Sequence, residues 1–150
     1  MPPEPRPLSA NAQRARRLLA GGAAGGHAAA LIAVAAWYLV GGPIAALNAA
    51  LAAVLVLAFF GLGQAVQVWV ADADPQVVMI ASLGSYVFRV GLPTLVLILL
   101  ARDPSRFAGM HRVAIAVTAI VVVVGWLAAE IWTFSRLRIP VFDPPEGESR

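Results

Sequence analysis

The stretch Leu18–Val70, LLAGGAAGGHAAALIAVAAWYLVGGPIAALNAALAAVLVLAFFGLGQAVQVWV, contains no Asp, Glu, Lys or Arg. It reads as two apolar runs, 18–40 and 44–70, separated by Gly41-Gly42-Pro43. Each run is long enough to cross about 30 Å of hydrocarbon at about 1.5 Å per residue. Pro43 suits the first turn of a helix, so the break closes one span and opens the next. A third run, 76–101, follows the acidic turn Ala71-Asp72-Ala73-Asp74-Pro75, whose carboxylates suit a helix N-terminus. A fourth, 113–134, follows the polar connector 102–112 and is stopped by Arg136 and Arg138.

The expected fold is therefore an all-α membrane protein with four transmembrane helices in two antiparallel hairpins, over residues 18–138. A basic tail over 1–17 and a proline- and acid-rich tail over 139–150 are expected to be disordered. Composition agrees with the class. Of the 150 residues, 60% are hydrophobic and 13% charged, and mean hydropathy is +0.80, which is not the profile of a soluble domain. The absence of cysteine excludes disulfides, thiolate metal sites and cysteine nucleophiles. An arginine-led apolar N-terminus also fits a signal peptide, but no clear cleavage site precedes a polar mature region, and three further runs follow.

The net charge of +3 points to lipid headgroups rather than nucleic acid, because the arginines cluster at the ends of apolar runs. All 11 basic residues are Arg. Cytoplasmic termini would place Arg6, Arg14, Arg16, Arg17, Arg136, Arg138 and Arg150 inside, and Arg102, Arg106 and Arg112 outside. That excess predicts that both termini lie in the cytoplasm. Trp37, Tyr38, Trp69 and Trp132 lie near span ends, where an aromatic belt belongs.

Arg89 is the one basic residue inside a run, at a cost of about 2.5–3.5 kcal/mol on insertion scales. Such a charge needs a partner. It can fix the bundle by pairing or snorkelling, meet a partner protein or ion path, or bind a headgroup. Pro93, four residues on, frees the carbonyl of residue 89 and predicts a kink. Gly84 and Gly91 give the same helix a slim face. Glu130, the one acid inside the fourth run, is the natural partner of Arg89 if runs three and four are antiparallel; reaching the interface is its alternative. Gln64 and Gln67 share a face and suit hydrogen bonds between helices. Asn48, Ser82, Ser85 and Tyr86 read the same way.

Gly21, Gly22, Gly25 and Gly26 form two overlapping G-x-x-x-G spacings, a pattern that can bring two copies of a helix together in a homo-oligomer. His27 beside them reads as a switch or, more blandly, as a hydrogen-bonded helix residue. No His or carboxylate set stands at metal-ligand spacing. Catalytic, cofactor-binding and nucleic-acid motifs are absent from the sequence, so no enzymatic activity is expected.

Phe59-Phe60-Gly61-Leu62-Gly63, Tyr86-Val87-Phe88-Arg89 and Gly125-Trp126-Leu127-Ala128-Ala129-Glu130, together with the glycine-rich first run and a basic stop, carry a resemblance. Over roughly residues 18 to 143 the chain resembles the ATP synthase protein I-like family of small four-span bacterial membrane proteins. The resemblance implies an accessory of the F-type ATP synthase that assists assembly or stability of its membrane sector, the c-ring in particular. It implies no resident cofactor. Its alternative is a divalent-cation (Mg²⁺) transporter or channel, in which several copies of Glu130 line a path. Against that version, Glu130 is the only acid inside a run, and Arg89 nearby would oppose a cation. A structural membrane protein with some other partner is the third reading. The residues expected to carry interaction are Arg89, Glu130, Gln64 and Gln67.

Overall fold

Ser9 starts the first helix. Its hydroxyl accepts the Ala12 N–H at 3.1 Å, and α1 (Ala10–Trp69) follows. In this computed structural model, residues 9–102 and 109–137 are described, without the side chains of 89, 90, 92–97 and 99–101. The C-terminal tail and much of the connector therefore lie outside the described residues. The expected tail over 1–17 differs from the structure, which is helical from Ala10. The last proline before the helix is Pro7, and alanine- and arginine-rich sequence after a serine cap propagates a helix well.

A straight α1 of 60 residues would separate its ends by about 90 Å. Instead the Ser9 hydroxyl donates to the Asp72 carboxylate, just past the far end of the helix. The chain reverses at Gly42, whose φ of 74° and ψ of −171° interrupt the helix immediately before Pro43. That conformation belongs almost entirely to glycine. A Cβ at Gly42 would meet nothing within 4 Å, so the expected cost of Gly42→Ala, about 1–3 kcal/mol, is purely conformational. Reversible unfolding in mixed micelles checks this, and an unchanged midpoint would contradict it.

The second half of α1 ends in the turn 70–74. The Asp74 carboxylate accepts the Gln76 N–H at 2.9 Å, capping α2 (Pro75–Arg102). Helix α2 is continuous through Pro93. His111 then caps α3 (Arg112–Arg136), its Nδ1 accepting the Ala114 N–H at 3.2 Å. The three helices are all the secondary structure of the described residues. Both α1 and α3 are long and apolar enough to cross a membrane.

Packing departs from two separate hairpins. Among the described residues α3 packs on both halves of α1, and α2 packs on α1 alone. Gly21 meets Thr133, Gly25 meets Gly125, and Trp37 lies 5.1 Å from His111, so α3 descends as the first half of α1 rises. Helix α2 is joined through the stacked rings of Phe59 and Phe88, 4.8 Å apart.

The interior is built from small residues. Ala30, Ala33, Ala45, Ala49, Ala52 and Ala53 are buried, while Leu31, Ile32, Leu47 and Leu55 are exposed and Leu39 is 83% exposed. A water-soluble bundle buries its large aliphatic residues; helices in lipid gain nothing by hiding them and approach through small ones.

Candidate functional site

Four glycines turn one face of α1 into a trough for α3. A Cβ at Gly25 would lie 2.5 Å from the Gly125 carbonyl oxygen, and one at Gly125 would lie 2.5 Å from the Ala29 Cβ. Both positions must be glycine for the backbones to come this close. Gly22 and Gly26, one turn apart, form a socket for Trp126: a Cβ at Gly22 would stand 2.5 Å from the indole Nε1, and one at Gly26 2.8 Å from Cε3. The G-x-x-x-G face, whose spacing can bring two helix backbones together, meets α3 of the same chain.

Trp126 is the largest fully buried side chain, 1% exposed, with Phe60 tilted against it at 5.5 Å. An indole buried this deeply needs an acceptor for its N–H. Glu130, four residues on and on the same helix face, provides one: Trp126 Nε1 donates to Glu130 Oε2 at 3.1 Å. Gln64 reaches the other oxygen from the second half of α1, its Nε2 donating to Glu130 Oε1. Gln64 is buried and Glu130 half-buried. The resulting triad ties α1 to α3 through Oε1, while Oε2 holds the indole of its own helix in place.

Of the residues expected to carry interaction, the structure therefore joins Gln64 and Glu130. Gln67 is half-buried and makes no hydrogen bond among the described residues. Arg89 has its backbone in α2, but its side chain, and with it the Arg89–Glu130 pair, lies outside the described residues. Trp126 was missed as a site residue. Its signal was an i, i+4 spacing to Glu130 that matches the spacing of Gly22 and Gly26.

Two other polar residues are locally satisfied, whereas the shielded Ser85 and Thr118 hydroxyls have no partner among the described residues. His27 Nδ1 bonds the Ala23 carbonyl at 2.7 Å, and the Asn48 amide donates to the Ile44 carbonyl at 2.7 Å. Among the described residues no three His, Asp or Glu side chains gather as metal ligands. What the triad can do is hold helices in register, because its groups accept and donate within the chain. Compared with protein-family models, curated proteins and solved structures, the chain matches none.

Proposed function

We propose that the chain is a multi-pass protein of the bacterial plasma membrane that assists assembly or stability of the F-type ATP synthase membrane sector by helix–helix contact. Four crossings are made by the two halves of α1, by α2 and by α3. Their geometry supports this reading, since Ala10 and Leu137 line one pocket at the same end of the bundle. That is where an even number of crossings leaves both termini, and the arginine excess assigns that end to the cytoplasm.

The observation that carries an interaction role is the one-sided packing of α2. The triad and the glycine trough hold α1 and α3 together, whereas α2 touches α1 alone among the described residues. Gly84 and Gly91, one heptad apart beside Phe88, are exposed, and a Cβ at either would meet nothing within 4 Å. This leaves a notch of the kind transmembrane helices use for close approach. The partner that the resemblance implies is the hairpin subunits of the synthase rotor.

Co-purification after mild detergent extraction tests the proposal, with synthase membrane subunits expected to follow the chain and deletion expected to lower c-ring yield. No attached synthase subunit, with unchanged c-ring yield, would overturn it. Gly84→Leu sharpens the test. It should leave bundle stability within about 0.5 kcal/mol, because the new side chain meets only lipid, yet reduce partner recovery about tenfold. Full recovery would place docking elsewhere. The cation-path alternative has less support, because Gln64 and Trp126 of the same chain already occupy both oxygens of Glu130.

A further inference from the structure

Three arginines from opposite ends of the sequence converge at one end of the bundle. Arg14 and Arg17, three residues apart and so on one face of α1, meet Arg136 from the last turn of α3. With Ala10, Gln13 and Leu137 they line a pocket of about 390 Å³. Among the described residues no carboxylate pairs with any of the three; of the two acids in the turn at that end, Asp72 takes the Ser9 hydroxyl and Asp74 caps α2. Arg136 is also pre-positioned, its guanidinium carbon standing 4.9 Å from the centre of the Trp132 indole.

With no counter-charge among the described residues, convergent cations repel one another unless an anion sits between them. Guanidinium groups present paired N–H donors that match phosphate oxygens. The surroundings choose between the sources of phosphate. Ile131, Trp132 and Phe134, on the same last turns of α3, are 67%, 63% and 55% exposed, an apolar flank against which an acyl chain can lie. Trp132 is also the amphipathic ring expected at headgroup depth.

We infer that Arg14, Arg17 and Arg136 form a binding site for the phosphate of an anionic phospholipid, whose acyl chains run down the Ile131–Phe134 flank. The inference rests on the membrane-spanning reading of the bundle but is independent of the synthase partner.

The full chain, reconstituted into vesicles of phosphatidylcholine containing a minority of phosphatidylglycerol, is floated after alkaline extraction, re-extracted in mild detergent and weighed by native mass spectrometry. Retained phosphatidylglycerol, without retained phosphatidylcholine, is expected on the wild type. Arg14→Gln/Arg17→Gln/Arg136→Gln should lower its occupancy at least tenfold, whereas Arg102→Gln/Arg112→Gln, which removes charge from the opposite end, should leave it unchanged. Inorganic phosphate at millimolar concentration should not displace the lipid. Equal retention by the triple variant, equal loss in the control, or displacement by phosphate alone would each overturn the lipid site while leaving the membrane reading intact. A wild-type chain that fails to float would overturn both.

Discussion

Gly25→Leu is expected to abolish the packed bundle, and Gly61→Leu to leave it untouched. At Gly25 the first added carbon would meet the Ala129 methyl and stand 2.5 Å from the Gly125 carbonyl oxygen. A side chain can rotate out of a clash; a helix backbone cannot, so the helices must part. Overpacking a core costs about 1–3 kcal/mol, occasionally more, and a backbone clash belongs at the upper end or beyond, at about 3 kcal/mol or more. In lipid no general hydrophobic force draws helices together, so lost contact along this face is not recovered elsewhere. The same parting would unseat Trp126 from Gly22 and Gly26 and separate Gln64 from Glu130. At Gly61 an added Cβ meets nothing within 4 Å, and the change should stay within about 0.5 kcal/mol. Gly125→Leu should match Gly25→Leu, and the double variant should cost little more than either, because both remove one contact. Unfolding midpoints in mixed micelles measure all four. Comparable losses at positions 25 and 61 would show that the glycine trough does not hold α3.

How much of this was legible in the sequence follows from what kind of signal each feature leaves. The all-α class and the reversal at Gly42 were legible, since a glycine–glycine–proline break between apolar runs is local in the chain. The acidic turn was legible for the same reason, and Asp74 does cap α2. The start of α1 was not: Arg14, Arg16 and Arg17 read as a charged tail, although residues with good helix propensity followed the Ser9 cap. Pairings between helices were harder still. Hydrophobic periodicity normally reports which face is buried, but in lipid the large residues face outward and alanine lines the interior. The periodic signal is then weak, and the glycine spacing does not say which helix it meets. Gln64 and Glu130 were each singled out as polar residues that needed partners, yet sequence separation hid that they meet. The clue that could have joined α1 to α3 was steric: paired glycines at 22 and 26 make a hole, and Trp126 is the side chain large enough to fill it.

The largest coupled effect is expected where the carboxylate of Glu130 loses both of its donors. Gln64→Leu removes the amide with little change in volume, and Trp126→Phe removes the indole N–H while leaving a ring in the glycine socket. Each single change deletes one hydrogen bond, worth about 0.6–2 kcal/mol in a membrane bundle. The double variant is different in kind, because it strands a half-buried charge with no donor among the described residues. Breaking a buried ionic contact costs about 3–5 kcal/mol, and the partial exposure of Glu130 puts the expected loss near the lower figure, still above the sum of two average singles. Glu130→Gln, placed in the double background, should then restore stability by removing the charge that had no partner. In the wild-type background the same change should be mildly destabilising, since an amide presents only one acceptor oxygen to two donors. A full cycle of unfolding free energies in mixed micelles reads these terms. Strict additivity, with no recovery from Glu130→Gln, would mean that another donor holds the carboxylate. Arg89 is the first candidate for that donor, and repeating the cycle with Arg89→Leu would identify it by the coupling that Gln64 and Trp126 had failed to show.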